Sequence, residues 1–139
     1  MVYTGRYTQG DLITEMGLVA VKTSVGYPRY RLKMKIDLDL EWLHPRRYMF
    51  NLDESEFNES YIQFLEESQD PEKLKKVFAD LLADFPDRKG LALLCFEDLY
   101  KTGNESCHRR VFAKWWEEQT GQAIPDLQYL EKRNANIIT

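Results

Sequence analysis

The stretch from Leu91 to Arg110, LALLCFEDLYKTGNESCHRR, brings a thiol (Cys95), a carboxylate (Glu97), a second thiol (Cys107), an imidazole (His108) and two guanidinium groups (Arg109, Arg110) into one short segment. An apolar strand ending at Cys95 and a helix opening at Cys107 would place these groups together, because ligands of parallel sheets bind beyond the strands' carboxyl ends, against helix N-termini. Cys95, Glu97, Cys107 and His108 are the candidate catalytic groups: Glu97 and His108 as acid and base, one cysteine as a nucleophile or orienting group. Cations in a first helical turn oppose the helix dipole by about 0.3–1 kcal/mol each when exposed. An anion bound at the free N–H groups reverses that penalty, so the corner reads as a phosphate or carboxylate site.

Each residue also has a plainer reading. Cys95 ends an apolar run and is suited to packing, and Cys107 sits where a helix N-terminus and adjacent cations lower a thiol's pKa. His108 shares a helical stripe with Val111, Phe112 and Trp115, which points it coreward, and Arg109 or Arg110 could pair with Glu97, Asp98 or Glu105. A zinc site has acceptable ligand types, but no Cys-x-x-Cys pair occurs and neighbouring Cys107 and His108 diverge by about 100° on a helix. No metal centre and no cofactor is therefore expected. A phosphatase-like loop from Cys95 to Lys101 is also disfavoured, since Glu97 and Asp98 fall where phosphate would sit. A disulfide between the two cysteines is sterically conceivable but unexpected in a reducing compartment.

A second basic region lies between Lys22 and Lys35, with Lys22, Arg29, Arg31, Lys33 and Lys35, no acidic residue, and Tyr27 and Tyr30 interleaved. Lys22 and Thr23 follow an apolar strand whose carboxyl end shares an edge with Cys95 if the two strands run parallel. The candidate ligand-binding residues are accordingly Arg109, Arg110, Lys22, Thr23, Arg29 and Tyr30. A solvated face that blunts an exposed sheet edge accounts equally well for residues 31–35.

These groups need elements to hold them. Val2-Tyr3 opens a short strand, Gln9 to Met16 a short helix stopped by Gly17, and Leu18 to Val21 a strand buried on both faces. From Tyr30 to Leu40 apolar and charged residues alternate, predicting a half-buried strand with one charged face, possible as an antiparallel edge. Phe57, Tyr61, Phe64 and Leu65 share one side of a helix beginning near Asp53 or Ser55. A second helix opens at Asp70-Pro71 with Leu74, Val77, Phe78, Leu81 and Leu82 on its face, and Leu91 to Phe96 is a second buried strand. A last long helix spans roughly Asn104 to Thr120 with Gly121 as its stop. The prediction is a single-domain, three-layer α/β fold over residues 1–124, mostly parallel strands flanked by helices, with a loosely attached tail over 125–139.

Composition narrows the classes. The chain has 139 residues, 43% apolar and 13% aromatic, the make-up of one packed domain rather than a disordered polyelectrolyte. Nineteen Lys and Arg against 23 Asp and Glu give −4, so nucleic-acid binding would have to be local, through the Lys22–Lys35 segment. Two cysteines cannot build a disulfide framework, and the longest apolar run, Leu91 to Phe96, is too short to cross a bilayer. The expectation is a cytoplasmic protein with free thiols and no membrane partner, its oligomeric state left open.

LALLCFEDLYKTGNESCHRRVFAKWW resembles the signature of the uncharacterised domain-of-unknown-function 488 family, in which an apolar strand ends in Cys-x-Glu and a loop leads to Cys-His-Arg opening a helix. The pattern falls on Cys95, Glu97, Cys107, His108 and Arg109, and Tyr3-Thr4, Val19 to Lys22, Pro28-Arg29 and Trp42-Leu43 with Tyr61 extend the likeness up to Gly121. Lys22 replaces the family's usual Arg, which weakens bidentate recognition, and the loop after Glu97 is longer and more polar than usual. The resemblance implies an α/β fold and no named reaction.

Two functions follow as expectations. In one, the Cys/Glu/His/Arg pocket binds a small anionic, phosphate-bearing ligand, a nucleotide or a nucleic-acid end, with thiol or acid–base catalysis. In the other, the chain is a non-catalytic binding module, the cluster is structural, and the working surface is the basic stretch at 29–35 or the aromatic tail.

Overall fold

A computed structural model describes residues 1–97, 99–100 and 107–138. Its centre is a four-stranded, all-parallel sheet of β1 (Val2–Arg6), β2 (Leu18–Lys22), β3 (Leu38–Asp39) and β4 (Gly90–Cys95), in the order β1-β4-β2-β3. Val2 pairs with Leu91 and Arg6 with Cys95 on one side of β4, and Leu18 pairs with Gly90 and Lys22 with Leu94 on the other. This register sets Cys95, Lys22 and Thr23 at the same edge of the sheet. Both central strands are buried along their whole length, as their unbroken apolar runs require.

Helices cover both faces. Val19, Val21, Leu91 and Leu93 face α2 (Glu54–Ser68), α3 (Pro71–Ala83) and α4 (His108–Thr120), with Tyr61, Leu65, Phe78, Phe112 and Trp116 filling the layer between. Leu18, Ala20, Ala92 and Leu94 face the opposite way, against Ile13 of α1 (Gly10–Glu15) and Leu127 of α5 (Leu127–Ile138). The helix ends follow local chemistry. The Asp53 and Asp70 carboxylates accept from first-turn N–H groups of α2 and α3, Pro71 presets the entry to α3, and Gly121 ends α4 with a positive φ of 74°. The expected α4 start at Asn104 lies outside the described residues. No helix among the described residues is long and apolar enough to cross a membrane.

Two expectations are corrected. Residues 30–40 do not form a half-buried strand, and among the described residues there is no antiparallel edge: within 30–40 only Leu38–Asp39 pair, and they run parallel to β2. Parallel neighbours need a crossover, and here an extended strap supplies it without a helix. Leu32, Met34 and Ile36 pack on the α1 side of the sheet while Arg31, Lys33 and Lys35 stay exposed, so the alternation in the sequence reports a strap lying on a sheet, not a strand within one. Asp37 secures its far end by accepting from the Ala20 N–H and the Arg88 guanidinium, each at 2.9 Å.

The second correction concerns residues from Pro125 onward, expected as a loose tail. The Pro125 carbonyl accepts from the Thr4 N–H at 3.0 Å, Leu127 is fully buried, and α5 lies against β1. Gly5 permits this docking, because a Cβ there would stand 2.9 Å from the Leu127 Cδ1.

Candidate functional site

The carboxyl edge of β4 faces the start of α4. Cys95 is the last residue of β4, and Cys107 holds the N-cap position of α4 with φ −56° and ψ 131°, so it precedes the first helical turn. Its side chain turns back toward the strand. The two sulfurs are 2.9 Å apart as free thiols, and the Cys107 thiol donates to the Glu97 Oε2 at 3.3 Å. Both cysteines are buried and Glu97 is half-buried.

Arg109 fills the base of this corner with 1% of its surface exposed. Its Nε donates to the Asp126 Oδ2 at 2.8 Å, one terminal nitrogen donates to the Glu97 carbonyl at 2.7 Å and to the Cys95 Sγ at 2.9 Å, and the other donates to the Gln128 Oε1 at 3.0 Å. Asp126 also accepts from the Thr4 hydroxyl at 2.7 Å. Every nitrogen of the guanidinium is thus engaged inside the protein, and burial that would disfavour its charge is offset by Cys95 and Asp126.

His108 is held from Thr23, the residue that follows β2. The Thr23 hydroxyl lies 2.8 Å from the Leu94 carbonyl and 3.1 Å from the His108 Nε2. Burial favours the neutral imidazole and lowers its pKa to about 4, against the opposing pull of Glu97. Burial and the adjoining Cys107 push the Cys95 thiol well up, with Arg109 opposing. A raised thiol pKa is contrary to what a nucleophile needs at neutral pH.

The structure thus brings together Cys95, Glu97, Cys107, His108, Arg109 and Thr23. It separates the other expected site residues. Lys22 is 1% exposed, donates to the Ser24 carbonyl, lies 3.6 Å from the Asp39 Oδ2 and stacks its ammonium over the Tyr27 ring at 4.5 Å. Arg110 is exposed and borders a different hollow, with Ala113 and Tyr129. Arg29 and Tyr30 are exposed on the loop after β2, away from the hydrogen bonds that join the cluster among the described residues. Asp98, Lys101 and Glu105 lie outside the described residues.

The cavity beside the cluster, bounded by Thr23, Tyr61, His108 and Arg109, measures about 10 Å³. That is room for a single water at most, and not for phosphate. Asp126 and Gln128 were missed by sequence reasoning, which took the region after Pro125 as detached. The signal was present: Asp126 accepts from the Gln128 N–H at 2.9 Å, and Asp before an apolar-periodic run marks a helix start.

Fold and corner together define a parallel-sheet α/β protein with a cluster of buried thiols, imidazole and guanidinium beside a half-buried carboxylate at the strand ends. Comparison with protein-family models, curated proteins and solved structures finds no match. The resemblance to the domain-of-unknown-function 488 family accordingly rests on the quoted residues alone.

Proposed function

We propose that the chain is a non-catalytic binding module whose Cys/Glu/His/Arg cluster is structural and whose ligand is a phosphate-bearing anion with a planar base, a nucleotide or the end of a single strand. The observation that carries this reading is the exposed side of residues 25–35. Tyr27 and Tyr30 are 65% and 47% exposed, and Arg29, Arg31, Lys33 and Lys35 stand in solvent beside them. Because 31–35 is a strap and not an edge strand, its charges do not serve to blunt a sheet edge. Cations supply the sequence-independent attraction for phosphate, and aromatic rings offer stacking worth about 1–3 kcal/mol per base. Lys22 beneath Tyr27 holds that ring in place. The two free thiols suit a cytoplasmic location, where they stay reduced.

Fluorescence anisotropy with a short labelled oligothymidylate, competed by a nucleoside triphosphate, tests the reading across a salt series. The expected result is an affinity that falls steeply with salt and is lost in an Arg29→Glu, Lys35→Glu double variant. Competition by the triphosphate identifies a nucleotide site; its failure with strong strand binding identifies a nucleic-acid end. An affinity flat in salt, or unchanged in the double variant, refutes it.

A further inference from the structure

We infer that Cys95, Cys107, His108 and Glu97 form a binding site for one divalent cation of zinc's class. One ligand atom from each of these residues lies within 4.8 Å of the other three. A tetrahedron with metal–sulfur bonds of about 2.3 Å and metal–nitrogen or metal–oxygen bonds of about 2.0–2.2 Å needs ligand separations of about 3.3–3.8 Å. The four groups therefore reach that arrangement by small side-chain adjustments, the sulfurs parting from 2.9 Å and the wider pairs closing.

The objection raised by the sequence, that neighbouring residues on a helix diverge, does not apply. Cys107 is the N-cap, with extended ψ, and only His108 is within the helix. The two side chains converge because one is outside the helical repeat.

Three further features fit a metal and not merely two thiols. In the proposed site His108 donates its Nε2 proton to the Thr23 hydroxyl, 3.1 Å away, and offers Nδ1 as the ligand nitrogen. That is the orienting hydrogen bond which metal-binding histidines donate through their second ring nitrogen. Arg109 also meets part of the site's charge. Two thiolates and one carboxylate against a divalent cation leave one negative charge, and Arg109, which is paired with Asp126, places a guanidinium nitrogen 2.9 Å from the Cys95 Sγ. Finally, two sulfurs with one imidazole and one carboxylate suit zinc better than magnesium or calcium, which prefer oxygen, and binding releases the two thiol protons to solvent. Four protein ligands leave no open position, so this is a structural centre, separate from the loop surface proposed above.

The test uses the full chain, reduced, stripped with a chelator and titrated with cobalt(II), whose thiolate charge-transfer and tetrahedral d–d bands report the ligand set. The expected result is equimolar uptake with both signatures, displacement by zinc and a raised Tm. Cys107→Ser should abolish the charge-transfer intensity, and Thr23→Val, which touches no metal, should weaken cobalt binding about 10–100-fold by freeing the imidazole. Glu97→Gln, at a half-buried position, serves as the ligand variant should Cys107→Ser fail to fold, with altered d–d bands and weaker uptake expected. The inference is overturned if the reduced wild-type chain takes up no cobalt, if uptake lacks thiolate bands, or if Thr23→Val and Glu97→Gln bind as wild type does. Oligonucleotide binding measured on the same variants stays a separate readout, since none of these residues lies on the 25–35 loop.

Discussion

The Arg109 Nε and the Asp126 Oδ2 meet at 2.8 Å with both side chains buried, tying the first turn of α4 to the segment that leads into α5. Asp126 is shared with the Thr4 hydroxyl of β1, so one carboxylate joins an edge strand, the helix that opens the cluster and the C-terminal helix. The position of Arg109, and through it of the Cys95 sulfur, depends on a residue that is remote in sequence.

Removing that carboxylate leaves a buried guanidinium without its counter-charge. Asp126→Ala should cost about 3–5 kcal/mol in urea unfolding. Thr4→Val, which removes only a neutral donor to the same oxygen, should cost about 1–2 kcal/mol. Equal and small losses in the two variants would show that the ion pair is not what holds α5.

Steric closeness makes a second expectation. A Cβ at position 5 would lie 2.9 Å from the Leu127 Cδ1 and 3.3 Å from its Cβ. Gly5→Ala should therefore displace α5 at a cost of about 1–3 kcal/mol. Amide hydrogen exchange should show lost protection in residues 127–133 ahead of α2, and uniform protection would count against this docking geometry.

The buried Tyr61 hydroxyl donates to the Leu43 carbonyl at 2.7 Å and fixes the turn at Glu41–Leu43 against α2. Tyr61→Phe keeps the ring but leaves that acceptor unpaired, for an expected loss of about 1–3 kcal/mol by thermal or denaturant unfolding. Because Tyr61 also packs edge-on to His108 at 5.7 Å between ring centres, the fold should survive with the cluster intact.

Lys33 separates stability from binding. Its bond to Asp11 spans 3.1 Å between side chains 69% and 77% exposed, and such pairs contribute about 0–1 kcal/mol. Lys33→Ala should leave Tm near that of wild type while weakening oligonucleotide affinity at low salt. A matching loss of Tm would mean the strap itself had come away.

Strands β2 and β4, helices α2 and α3, and the stop at Gly121 were all legible, because apolar runs, helical spacing and capping residues act locally. The alternation at 30–40 was legible as a pattern and misread as an element. Period two reports which residues face a surface, and a strap on a sheet obeys it as well as a strand does. The tail was misjudged for a related reason: what docks α5 is the absence of a side chain at Gly5 and a carboxylate meeting Arg109, neither visible as a local pattern.

By itself the sequence determined the parallel α/β architecture and the meeting of Cys95, Glu97, Cys107, His108 and Arg109, since strand, loop and helix in that order leave those residues one corner to share. Only the tertiary structure decided what the corner is. Hydrogen-bond partners from Thr23, Asp126 and Gln128 close it and commit every guanidinium nitrogen, while Arg29 and Tyr30 stay exposed on their loop. Such commitments are made between distant segments, where free donors and buried charges must find partners or carry the cost of desolvation.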